Sequence, residues 1–398
     1  MKILKYIFLF LIISSVGYSQ NVKITDFDIP VSSARKFLIN GFYSWAETDP
    51  DDTAAAKSVT SNGRLEAIYS QFYSSPGMKW NLDFTGGLNT LRGDTTRYNY
   101  ILATDYSKYF SNTKGFFANG ELQSNYTRKR EFGKDNRPEV NLFAGLGYGR
   151  QVEATSLAKA IRIDQDLKKG GITSSYMPKS TMLKIAQIID REGEYKDKYK
   201  ALYEARIIED IQKEIENSGV SKTQTLSALG FMRVRDVLYG TNQFIQPRLY
   251  GGDIRLGVGY TVLTRNEEIK SPSPTADLRA RYAYPIGIEH QITTFANMSS
   301  PIDSNFAKLV TGNAGLNYYY NLTNRITFNA GYRAQLNQLY AGGGTTGLDK
   351  SAVDHFFSTG FTFYIENYIS FNINGGIEKR HALDTRYFTN ASVGFIIF

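Results

Sequence analysis

Residues 316–336 read LNYYYNLTNRITFNAGYRAQL. Before the polar turn at 321–324, Ala314, Leu316, Tyr318 and Tyr320 alternate with Asn313, Gly315 and Asn317. After it, Ile326, Phe328, Ala330, Tyr332, Ala334 and Leu336 alternate with Arg325, Thr327, Asn329, Arg333, Gln335 and Asn337. A strict two-residue period sends every apolar side chain to one face of a strand and every polar one to the other. About five or six residues make a soluble sandwich strand. This run is longer and matches the ~9–11 tilted residues that carry a strand across a bilayer. The apolar face is then expected to meet lipid, and the polar face a lumen.

The same alternation recurs outward from this hairpin. It is clean at 78–88, where Met78, Trp80, Leu82 and Phe84 oppose Lys79, Asn81, Asp83 and Thr85. It marks 37–47, 64–73, 98–109, 116–126 and 140–148, then 253–263, 278–284, 288–298, 310–320, 325–337, 351–363, 369–377 and 387–398. The expected fold is an all-β antiparallel transmembrane barrel of about fourteen strands, with both chain ends on one side. Short turns at 74–77, 110–114, 285–287, 321–324 and 364–367 fall on that side. Longer loops at 48–62, 129–139, 265–277 and 339–350 fall on the other.

Between 153 and 240 the period changes. Tyr199, Leu202, Ala205, Ile208, Ile211 and Ile215 recur at three- and four-residue intervals, the mark of amphipathic helix. Gly219 supplies a stop, and Ser221 with Gln224 a capping box before 226–238. Segments 156–167, ending at Gly170-Gly171, and 180–190, after Pro178, are further helices. Three or four helices are expected, with an apolar stripe sufficient for a core of their own. Their mixed charges suit a solvated bundle. The insertion could dock a periplasmic partner protein, fold into the lumen as a plug, or cover the mouth.

Lys2 and Lys5, the apolar stretch 7–13 and the small residues Gly17 and Ser19 read as a secretory signal. The chain then divides into a leader (1–20), a periplasmic lead-in (21–36), strands one to six (37–150), a helical insertion expected on the same, periplasmic side (151–245) and strands seven to fourteen (246–398). There is no cysteine among the 398 residues, which excludes disulfides, thiolate metal sites and lipid attachment at a cysteine. The net charge of +8 comes without a basic helix or RNA-binding motif, so nucleic acid is not expected as a partner.

The strand pattern, together with an end in Val393, Phe395, Ile397 and a terminal Phe398, resembles bacterial outer-membrane β-barrel proteins. The resemblance spans most of the chain outside the helices. It implies a location in the outer membrane, contact with its lipid, and reading of the last strand by the barrel-assembly machinery. Phe398 is out of phase with Val393, Phe395 and Ile397, unlike the class pattern.

Little points to catalysis. His290, His355 and His381 are the only histidines. Asp354 and His355 are strand neighbours and face opposite ways. No nucleophile elbow is present, so a lipid hydrolase or acyltransferase is a minor alternative. Three scattered histidines make no metal site, and the glycine runs 251–252 and 342–344 lack a phosphate-binding context. No cofactor is expected.

The polar faces are more informative. Arg255, Arg279 and Arg281 fall on strands seven and eight, Arg325 and Arg333 on strand eleven, and Asp83 and Glu121 on strands three and five. In a fourteen-strand ring these would stand as opposed basic and acidic walls, with the arginines giving one side of the lumen a positive field. Either they act on permeating ions or they pair with one another. The expected function is a channel or transporter for small polar solutes, modulated by the insertion. A closed, partner-binding outer-membrane anchor is the alternative.

Overall fold

The computed structural model describes residues 22–29, 31–48, 58–91, 96–110, 115–128, 137–223, 225–240, 246–323, 325–340, 351–366, 369–381 and 383–395. The proposed leader, the loop glycines 342–344, Gln224, Ile397 and Phe398 lie outside these residues. Fourteen strands form one antiparallel sheet in chain order. They are β1 (Ser32–Thr48), β2 (Ser58–Ser75), β3 (Met78–Leu91), β4 (Arg97–Tyr109), β5 (Phe116–Thr127), β6 (Glu139–Glu153) and β7 (Leu249–Leu263). Then follow β8 (Thr275–Ile286), β9 (His290–Pro301), β10 (Leu309–Thr323), β11 (Ile326–Tyr340), β12 (Ser351–Glu366), β13 (Ile369–Lys379) and β14 (Arg386–Phe395). This is the barrel architecture expected from the alternation, with a helical insertion after β6. Each of the thirteen consecutive strand pairs is antiparallel. No described helix is long and apolar enough to cross a membrane.

The β10–β11 hairpin pairs Tyr318 with Ala330 and Tyr320 with Phe328. Phe328 continues the apolar face to Phe361 on β12, with ring centroids 4.9 Å apart. On β7 the outer residues Ile254, Leu256, Val258 and Tyr260 are exposed, whereas Asp253 and Arg255 between them are buried.

Several strands run past their expected ends. β1 starts at Ser32 and ends at Thr48, and β2 starts at Ser58, so both ends of the expected 48–62 loop, Thr48 and residues 58–62, are strand. Ladder hydrogen bonds hold these polar residues, which carry no alternation. β6 passes Tyr148 because its phase flips. Gly149 sits at φ +95° and Gly251, on the paired strand, at φ +79°, a backbone region that side chains rarely tolerate. The ladder stays one-to-one here, Gly149 facing Asp253 and Gln151 facing Gly251, so the flip is made by backbone dihedrals rather than by an extra residue. Before it odd-numbered residues such as Phe143 face inward, and after it Arg150 and Val152 are the buried ones.

Five α-helices follow among the described residues: α1 (Thr155–Lys169), α2 (Lys179–Asp190), α3 (Glu192–Tyr199), α4 (Tyr203–Asn217) and α5 (Ala228–Tyr239). The expected helix through Tyr199 and Leu202 is broken into α3 and α4, with Lys200 at φ +50°. Gly219, at φ +72°, ends α4 as expected. The cap of α5 is Ser227, whose Oγ accepts from Gly230 N at 3.3 Å, rather than Ser221.

The apolar stripe of these helices is not sufficient alone. Their core takes in Val22, Ile24 and Phe27 of the lead-in and Val152, Tyr250 and Ile288 of the strand ends. Tyr250 donates to the carbonyl of Phe27 at 2.5 Å. Ile288 was expected to open β9 but lies in this core instead. Arg248, fully buried, ties the junction. Its guanidinium donates to the carbonyls of Gln246 (2.8 Å), Ile288 (2.7 Å) and Glu289 (3.4 Å). Burial pulls its pKa down to about 10, so it stays charged at neutral pH.

Asp164 of α1 is also fully buried. One oxygen accepts from Met177 N at 2.8 Å, and the other has no partner among the described residues. Burial raises its pKa to about 6 from 3.8. The folded state therefore holds this proton more tightly than the unfolded one. The stability this group contributes is greatest below pH 4 and falls as pH rises towards 6, by at most ~1.4 kcal/mol per pH unit. We expect the helical circular-dichroism signal to melt at lower temperature at pH 6.5 than at pH 4, and Asp164→Asn to remove that slope. An unchanged slope in the variant would place the titrating group elsewhere.

Candidate functional site

The inner faces of β4 to β8 carry most of the charged residues singled out in the sequence, in one connected network. Asp253 on β7 bridges two arginines, accepting from Arg255 Nε at 2.8 Å and Arg281 Nε at 2.7 Å. Arg255 Nη1 reaches Glu121 Oε1 on β5 at 3.1 Å and lies 3.9 Å from Asp105 Oδ2 on β4. Arg279 Nη1 holds the other Glu121 oxygen at 2.6 Å, and its Nη2 lies 3.4 Å from Asp277 Oδ2. Aromatic rings support the guanidinium groups. Arg279 Cζ stands 4.0 Å from the centroid of Phe143 and Arg255 Cζ 5.6 Å from that of Phe117.

The opposed acidic and basic walls expected from the sequence are therefore replaced by one interleaved wall. The cause lies on β6. Its inward positions between Phe143 and the phase flip are Gly145 and Gly147, which leave a trough that long side chains cross. A Cβ at Gly147 would overlap the Phe117 ring. Arg255 can thus reach over β6 to Glu121 on β5.

The remaining expected residues lie elsewhere. Asp83 accepts from Ser70 Oγ at 2.6 Å and Asn81 Nδ2 at 3.2 Å, apart from the arginines. Arg333 packs its guanidinium 4.5 Å from the Phe356 ring centroid. Arg325 precedes β11 in the turn and donates to the Ile365 carbonyl at 3.4 Å. Val393 and Phe395 occupy β14, opposite Phe371 and Ile369. His290 and His355 each share a 2.8 Å hydrogen bond with a tyrosine, Tyr318 and Tyr332. Asp354, next to His355, accepts from the backbone of His381 at 2.7 Å.

Sequence reading missed Asp105, Asp253, Asp277 and Arg150. The three aspartates share the inward phase of their strands, a signal that was available. Arg150 was hidden by the phase flip. It is buried and donates to the carbonyls of Pro76 (2.7 Å) and Ser75 (2.8 Å), tying β6 to the β2–β3 turn. Above the network lies a cavity of about 540 Å³, lined among others by Asn81, Asp105, Glu121, Asn141, Asp277 and Arg279. A second, of about 420 Å³, shares Asp277 and Arg279 and continues to Asn297, Asn313 and Gln335.

No family model matches the chain, and no curated protein aligns with it. Among solved structures it is similar to the crystal structure of Pseudomonas aeruginosa OpdQ (TM-score 0.29, 8% identity, covering 94% of this chain and 98% of that one). It is likewise similar to a multiply substituted Rh. blastica porin (TM-score 0.22, 10% identity, covering 92% and 99%).

Asp253 is the linchpin of the network, and removing one partner of a buried ion pair costs about 3–5 kcal/mol. Asp253→Asn should lower the temperature at which the protein loses its folded, heat-modifiable migration in detergent gels. Asp83→Asn, which perturbs two hydrogen bonds worth about 1 kcal/mol each, should shift it far less. Equal shifts would deny Asp253 its special role.

Proposed function

We propose that the protein is an outer-membrane channel for small polar solutes, covered at one mouth by its helical insertion. The observation that supports the channel most directly is the division of faces. Apolar side chains stand exposed on the outside, while the inside holds a polar wall and connected cavities. A lipid-facing exterior around a polar interior is the arrangement of a transmembrane barrel.

This reading predicts unequal tolerance of charge. Phe328→Arg, on the outer face, should cost about 2–4 kcal/mol if it lies near the bilayer midplane. Thr327→Arg, on the inner face one residue earlier, should cost much less. Membrane insertion assayed by heat-modifiable migration separates them, and equal effects would reject the face assignment.

The covering role follows from where the helices touch the rim. On one side they join β6 and β7 and meet the β8–β9 turn, where Arg162 lies 3.7 Å from Glu289. On the other they meet the start of β1. Arg35 pairs with Asp197 at 3.3 Å, Asp190 takes hydrogen bonds from Ser32 and Ser156, and Gly193 packs against Ala34 with no room for a Cβ. In a ring of fourteen, β1 and β8 are opposite, so a unit touching both spans the mouth. The lid reading is favoured over the plug for that reason. By the expected topology this mouth is periplasmic. Gly193→Leu should wedge α3 off β1 and raise single-channel conductance in planar bilayers while the barrel stays folded. Unchanged conductance would remove the lid from the conduction path.

A further inference from the structure

The surface of the larger cavity is unbalanced in charge and in hydrogen-bonding capacity. Its lining carries three carboxylates, Asp105, Glu121 and Asp277, against one guanidinium, Arg279, with Arg255 reaching from below to Glu121 at 3.1 Å and to within 3.9 Å of Asp105. The charged donor and both asparagines there are already committed. Arg279 spends one edge on Glu121 and the other on Asp277, with a face on Phe143. Asn81 donates to Asp83 at 3.2 Å and Asn141 to Glu139 at 2.9 Å.

Acceptors are left over. Asp277 meets Arg279 through Oδ2 alone. Asp105 meets Asn119 and Arg255 through Oδ2 alone. Among the described residues, the Oδ1 atoms of both accept no hydrogen bond. Below this chamber the sign reverses. Lys79, Arg150, Arg255 and Arg281 gather there around Asp253, close enough for Arg150, Arg255 and Arg281 all to act on the Lys79 ammonium.

We propose that this cavity is a binding chamber for solutes carrying an ammonium or guanidinium group, seated on Asp105 and Asp277. A ligand that brings donors and positive charge satisfies the spare acceptors, whereas an anion meets three carboxylates. The cationic floor beneath holds such a group in the chamber and slows its onward passage, because like charges repel across a low-dielectric gap. The inference deepens the channel reading by giving it a solute class.

The current of full-length protein in planar bilayers should be blocked by a cationic solute, most clearly at low salt, since screening sets in over roughly 10 Å at 0.1 M. Lysine methyl ester should interrupt the current, and acetate should not. Calorimetry on detergent-solubilised protein should detect ester binding, weakened by roughly fivefold for each of Asp105→Asn and Asp277→Asn. Heat-modifiable migration reports whether each variant is folded, and a variant that fails it is replaced by the other single substitution. Acetate binding as well as the ester, or ester binding unchanged in folded variants, overturns the chamber and leaves the channel standing. Ester binding that the variants lose, in a protein that never conducts, supports the chamber and removes the channel. Neither binding nor conduction removes both.

Discussion

Every strand here must satisfy two surroundings at once while its backbone polar groups find partners only sideways. An antiparallel ladder meets that demand, because each N–H and C=O points to a neighbour and successive side chains divide cleanly between the faces. Thirteen ladders in unbroken chain order are the result. The charged wall, the cavities and the helical insertion are departures that this regularity permits. Long arginine side chains lie in a glycine trough, and the helices attach where the alternation slips by one residue.

The slip at Gly149 connects the two halves of the molecule. Before it, β6 contributes to the lumen wall in the same phase as its neighbours. After it, Arg150 turns inward to hold the β2–β3 turn, and Val152 enters the helical core. Opposite, Gly251 separates Asp253 of the charged wall from Tyr250 of that core. One backbone irregularity, shared by two paired strands, thus sets the boundary between the charged wall and the helical core.

How far the sequence discloses this follows from the range of each interaction. Alternation is local, so the strands around Phe328, Trp80 and Leu256 are legible from a dozen residues each. Ion pairing is not. Arg255 and Glu121 are 134 residues apart, and their meeting depends on β6 lying between them with glycines facing inward. The phase of Arg255 shows that it faces the interior, and nothing local shows that a carboxylate awaits it. The lead-in fails for another reason: Val22, Ile24 and Phe27 are too few to form a period, and their place in the core appears only when the helices are present. The Ser221 cap lost to Ser227 because two polar residues near a helix start compete, and packing decides between them.

The shared core of lead-in, helices and strand ends also orders the folding of the chain. Phe27 and Tyr250, joined by a hydrogen bond, stand 223 residues apart, and contacts of such separation form slowly because long loops must close first. The helices can form early from local contacts. Their core cannot be completed until six strands have brought the start of β1 round to the start of β7. Completion of this core is therefore a late event that reports correct strand order, and a misregistered sheet would leave the apolar faces of α1 and α4 exposed to chaperones and proteases.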